Sequence, residues 1–134
     1  MISQTGRYAL RILGYLADHP GERALGRDIA RDTGIPANYL SKILNQLRKA
    51  GFVLSQKGWG GGFVLNARAS RQPIARVLEL FDGRRDREAC IFELKPCDAR
   101  NPCPLHHRWE PVRTEFDAML RSVLVRNLRD PKAG

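Results

Sequence analysis

Two short amphipathic stretches joined by a glycine turn, a hairpin with a glycine-rich tip, and a long C-terminal stretch with apolar residues three and four apart predict the fold class. The chain should be mainly α with a small β-hairpin, arranged as a winged helix-turn-helix followed by a long helix.

The first helix is expected over residues 7–17, where Tyr8, Ala9, Ile12, Leu13, Leu16 and Ala17 share one broad apolar face and Pro20-Gly21 ends the segment. A second runs from about Gly26 to Thr33, with Ile29 and Ala30 inward and Gly34 as the residue after its end. Pro36 suits the first turn of the third helix, whose buried stripe is read as Leu40, Ile43, Leu44, Leu47 and Ala50, with Gly51 closing it. Phe52 to Ser55 reads as a strand, Lys57 to Gly62 as its turn, and Phe63 to Leu65 as the returning strand. A fourth helix is expected over 73–81, carrying Ile74, Val77, Leu78 and Phe81. From about Leu105 a long helix resumes through Trp109, Val112, Phe116, Met119, Leu120, Val123 and Leu124, a spacing suited to packing against another helix. Pro111 either kinks it or marks where its regular part begins.

The 134 residues fit one domain with one main core. No apolar run reaches the ~18 residues of a membrane span, and the N-terminal residues lack a signal-peptide pattern. A cytoplasmic location is therefore expected. The net charge of +9 favours a polyanionic partner. The excess is uneven: residues 1–89 hold 15 Lys and Arg against 8 Asp and Glu, residues 90–134 hold 8 against 6.

The third helix has the composition a DNA-reading helix needs. One face is apolar; the other shows Asn38, Tyr39, Ser41, Lys42, Asn45, Gln46, Arg48 and Lys49, which suit base edges and phosphates. Ser55, Lys57, Gly58, Trp59 and Gly60 form the hairpin side of this interface, where glycines let backbone approach a groove closely. A phosphate loop is disfavoured, because the G-x-x-x-x-G-K-[ST] order is missing and a strand follows. A basic RNA-binding module is the alternative of another class.

Cys90, Cys97 and Cys103 give C-x6-C-x5-C within a loop restricted by Pro96, Pro102 and Pro104. In a reducing compartment such a cluster reads as metal binding or redox sensing. Thiolates suit an iron–sulfur cluster or zinc; a thiol switch without metal and three inert thiols are the other readings. A fourth ligand is expected at His106, with His107 as the alternative. No general base is positioned beside the cysteines, which argues against an enzyme.

These residues together resemble the IscR/NsrR-type regulators of the Rrf-two superfamily. Gly6-Arg7-Tyr8-Ala9 is similar to the family's first helix, and Tyr39-Leu40 with Leu47 to Gly51 to its recognition helix. Ser55 to Phe63 is similar to its wing, and Cys103-Pro104-Leu105-His106 with Trp109 to the start of its dimer helix. The resemblance implies a homodimer on a palindromic operator in double-stranded DNA. It also implies cluster ligands at Cys90, Cys97, Cys103 and His106, in the two-iron form rather than the four-iron form. The NsrR branch takes an acidic ligand from the first helix of the partner subunit; Arg7 stands at the matching position, which favours the IscR branch. The first cysteine gap is one residue longer than in that branch, and Lys57 replaces its usual arginine. Some family members carry no cluster. The expected organisation is a DNA-binding domain at 1–82, a cysteine-containing sensor loop at 83–104, a dimerisation helix at 105–128 and a flexible tail at 129–134. The expected action is that of a repressor whose DNA affinity is set by the cluster.

Overall fold

A computed structural model describes residues 2–57, 62–83, 89–92 and 95–132. Among these are five α-helices and one antiparallel hairpin: α1 (Gln4–Ala17), α2 (Gly26–Thr33), α3 (Ala37–Lys49), β1 (Val53–Gln56), β2 (Gly62–Leu65), α4 (Ile74–Asp82) and α5 (His106–Ser122). No described helix is long and apolar enough to cross a membrane.

α1 starts three residues earlier than its apolar pattern, because Ser3 caps it: the Ser3 hydroxyl accepts from the Gly6 N–H at 2.9 Å. α2 ends on Gly34, whose φ of 74° is left-handed and suits a residue without a side chain. Pro36 is the N-cap of α3, one position before the first turn where the sequence pattern put it. α1 packs on α2, α3 and α4, with Leu13, Leu16, Ile29, Ile35, Leu40, Leu44 and Leu47 fully buried between them. Each such side chain contributes about 1.5–3 kcal/mol by leaving water. Ala50, read as part of the α3 stripe, is exposed at the C-cap, where the helix no longer faces the body.

In the hairpin Val53 pairs with Leu65 and Ser55 with Phe63. Ala24 adds an isolated bridge to this hairpin, exchanging two backbone hydrogen bonds of 2.8 Å with Phe63. The wing is thereby tied to the segment entering α2.

α5 runs through Pro111 and packs on α4, with Leu120 buried and Phe116 against the core. It ends at Ser122, short of the expected 128. Val123 is extended, its carbonyl accepts from the Ile74 N–H at 2.9 Å, and the Val125 N–H donates to Gln72 O at 2.9 Å. Pairing with the strand-like approach to α4 satisfies backbone groups that a longer helix would have satisfied internally.

The tail expected at 129–134 differs from the structure over its described residues. A side chain at Gly14 would stand 2.6 Å from the backbone of Arg129, so glycine is what lets residues 129–130 lie directly on α1. Asp130 is buried there.

Candidate nucleic-acid interface and metal centre

The outer face of α3 carries every side chain assigned to it from sequence: Asn38, Tyr39, Ser41, Lys42, Asn45, Gln46, Arg48 and Lys49 are all exposed, while Leu40, Ile43, Leu44 and Leu47 hold the helix down. Arg48 donates to Asn45 Oδ1 at 2.8 Å, and the Tyr39 ring stands 6.3 Å from that of Tyr8 on α1. Ser55 and Lys57 are exposed on the hairpin, and Arg23 bonds Gln56 at its outer end. Gly58, Trp59 and Gly60 lie outside the described residues. Among the described residues no carboxylate pairs with Lys42, Arg48, Lys49 or Lys57, which leaves four cations available to phosphates.

Polar contacts brace the helix pair behind this face. The Tyr15 hydroxyl of α1 donates to Asp32 of α2 at 2.7 Å. Burial, reinforced by Asp32, pushes the Tyr15 phenol up to about 12. Arg31, and then Tyr15, bond the Asp32 carboxylate and hold it below its ordinary range. A larger brace was not visible in the sequence. Arg11 of α1 donates to Asp130 at 2.7 Å and also to the Thr33 carbonyl at the end of α2. One guanidinium thus joins the C-terminal segment to the turn of the helix-turn-helix.

The cysteine segment is held at its two ends. Ala89 and Pro96 form a β-bridge, and the Cys90 N–H donates to Lys95 O at 2.9 Å. Trp109 of α5 donates its indole N–H to the Ala89 carbonyl at 3.1 Å. Cys90 is buried, Cys97 and Cys103 are half-buried, and none is in a disulfide. His106, the first residue of α5, is buried, and its N–H donates to the Cys103 carbonyl at 3.1 Å. Its Nδ1 stands 3.2 Å from Cys97 Sγ. His107, the alternative ligand, is exposed.

Of the four predicted ligands the fold therefore brings Cys97 and His106 into direct contact. Among the described residues no three His, Cys, Asp or Glu side chains are gathered around one point. The residues present nevertheless fit a metal group. Three thiols and a buried imidazole are soft and borderline donors.

Sequence reasoning missed Glu110, whose Oε2 lies 2.7 Å from His106 Nε2. The four-residue interval on a helix was the available signal. The Trp109–Ala89 bond and the Arg11–Asp130 pair had no comparable local signature.

The profile of the Rrf2 family, described as iron-dependent transcriptional regulators, matches residues 2–131. A protein of Aquifex aeolicus named as an HTH-type transcriptional regulator is 33% identical over 130 residues, spanning 96% of this chain and 90% of its own. The HTH-type transcriptional regulator IscR of Xenorhabdus nematophila is 30% identical over 128 residues, spanning 95% and 77%. Among solved structures, CymR, the global cysteine regulator of B. subtilis, superposes with a TM-score of 0.76 at 23% identity, over 95% of this chain and 94% of its own. That likeness speaks for the fold. T. potens IscR superposes with a TM-score of 0.70 at 25% identity, over 95% and 84%.

Proposed function

This chain belongs to the Rrf2 family of iron-dependent transcriptional regulators, and on that premise we propose that it is a cytoplasmic homodimeric repressor whose affinity for a palindromic operator is set by an iron–sulfur cluster. Members of the family are DNA-binding transcriptional regulators rather than enzymes. Cys90, Cys97, Cys103 and His106 would hold the cluster, in its two-iron form. The observation that carries this reading is the contact of Cys97 Sγ with Nδ1 of a buried His106 at 3.2 Å. A bound cluster supplies an oxidant-sensitive one-electron centre on those four side chains.

Exposed apolar residues on α5 support the dimer. Leu105, just before the helix, Val112 and Met119 recur every seven residues and are 42%, 53% and 45% exposed. A second copy of the helix is the natural cover for such a seam. Twofold symmetry then sets two α3 helices on half-sites ~34 Å apart, with their N-terminal residues toward base edges.

The chain offers a continuous route between the two sites. His106 begins α5; Val123 and Val125 beyond its end pair with Ile74 and Gln72 at the start of α4; Asp130 grips Arg11, which grips the Thr33 carbonyl at the turn before α3. Reordering the cysteine segment would tilt α5 and, through that route, the recognition helices.

Anaerobic purification followed by iron and sulfide analysis tests the cofactor, and operator binding by cluster-loaded and cluster-free protein tests its role. A brown protein with matched iron and sulfide, and unequal affinities, is expected. A colourless protein holding zinc, or equal affinities, would overturn the cluster reading. A preference for RNA over palindromic duplex would overturn the DNA reading.

A further inference from the structure

Glu110 lies one helical turn beyond His106 on α5, with its Oε2 at 2.7 Å from Nε2. A carboxylate can only accept, so the proton between them belongs to Nε2. In the neutral ring the opposite nitrogen, Nδ1, then carries the lone pair. That is the nitrogen facing Cys97 Sγ. The ring is 95% buried, and its two nitrogens face Cys97 and Glu110, which orients it. Glu110 is half exposed.

We infer that Glu110 is a positioning residue for the cluster. It holds His106 in the Nε2–H tautomer, so that the histidine takes the metal through Nδ1, and its negative charge makes the imidazole a stronger donor. Metal-bound histidines commonly owe their orientation to such a carboxylate, and its loss typically weakens metal binding about 10–100-fold. The added negative charge also favours the oxidised form of a bound cluster, lowering its reduction potential. The inference rests on the cluster reading above, and it adds a residue that the three-cysteine, one-histidine set does not contain.

The test compares wild type, Glu110→Gln and Glu110→Ala, each reconstituted anaerobically with ferrous iron and sulfide. Glu110→Gln keeps an acceptor for Nε2–H and removes the charge. It should retain the cluster, with a more positive reduction potential and a displaced visible circular dichroism spectrum. Glu110→Ala removes both, and should release iron to a chelator about tenfold faster. Thermal unfolding of the three apo proteins separates this from general damage, and Glu110→Gln carries the test if the alanine variant fails to fold. If wild type holds a cluster and both variants match it in potential, spectrum and release rate, Glu110 is only a helix-surface partner and the inference falls. If wild type itself takes up no cluster, the proposed cofactor falls, and the role of Glu110 with it.

Discussion

The helix-turn-helix and hairpin half and the cysteine segment are held by different forces. Residues 2–82, joined by Leu120 and Val125 from the C-terminal segment, close a continuous apolar core to which every helix contributes side chains removed from water. Among the described residues from 89 to 104, Cys90 is buried, but it stands outside that core cluster. The segment is instead fixed by a few polar contacts: Cys90 to Lys95, Trp109 to Ala89, and Cys97 to His106. Apolar burial makes a rigid reader that resists local opening. A segment held by hydrogen bonds at its ends opens at much lower cost. Under the proposed function, the division would let the chemistry at the cysteines change without melting the part proposed to touch DNA.

The contrast is most directly broken at the core. Leu47→Ala, at a fully buried position on α3, should cost about 3–4 kcal/mol in denaturant unfolding. Cys97→Ser in the apo protein should leave the same transition nearly unmoved; equal losses would refute the division. Next in size is the link between the halves. Asp130→Ala leaves Arg11, a quarter exposed, without its carboxylate and should cost about 2–3 kcal/mol. Read in operator titrations, it should also narrow the difference between cluster-loaded and cluster-free protein.

Lys42→Ala sharpens the comparison from the opposite side. Stability should be unchanged, whereas operator affinity should fall about tenfold. The salt dependence should also weaken, by ~0.9 in slope for each phosphate that the lysine no longer neutralises. The smallest effect belongs to the Tyr15–Asp32 brace. The Asp32 carboxyl is held below its ordinary range, so its contribution is complete above its unfolded value, near 3.9, and disappears as pH falls through the folded value. Thermal melts should show Asp32→Asn differing from wild type at neutral pH and converging with it at the acid end.

Much of this was legible because helices and hairpins write their burial into short-range periodicity. Leu40, Ile43, Leu44 and Leu47 recur at helical intervals and are all buried, and the polar residues between them are all exposed. The same logic overran at the C-terminal end. Val123 and Leu124 continue the apolar rhythm of α5, yet leave the helix: the Val123 carbonyl and the Val125 N–H pair instead with the backbone of Ile74 and Gln72. The cysteines and His106 could be named as donors from residue type and loop length. The role of Glu110 depended on which ring nitrogen it reached, and sequence spacing does not specify that.

The sequence alone determined the helices, the hairpin, the polar face of α3 and the identity of the thiols, since each follows from neighbours within a few positions. Only tertiary structure decided that Asp130 reaches back 119 residues to Arg11, that Gly14 makes room for the chain end, and that Nδ1 of His106 meets Cys97. Contacts between distant segments depend on how helices cross and on which nitrogen or oxygen a neighbour already occupies. No local pattern of apolar and polar residues records either.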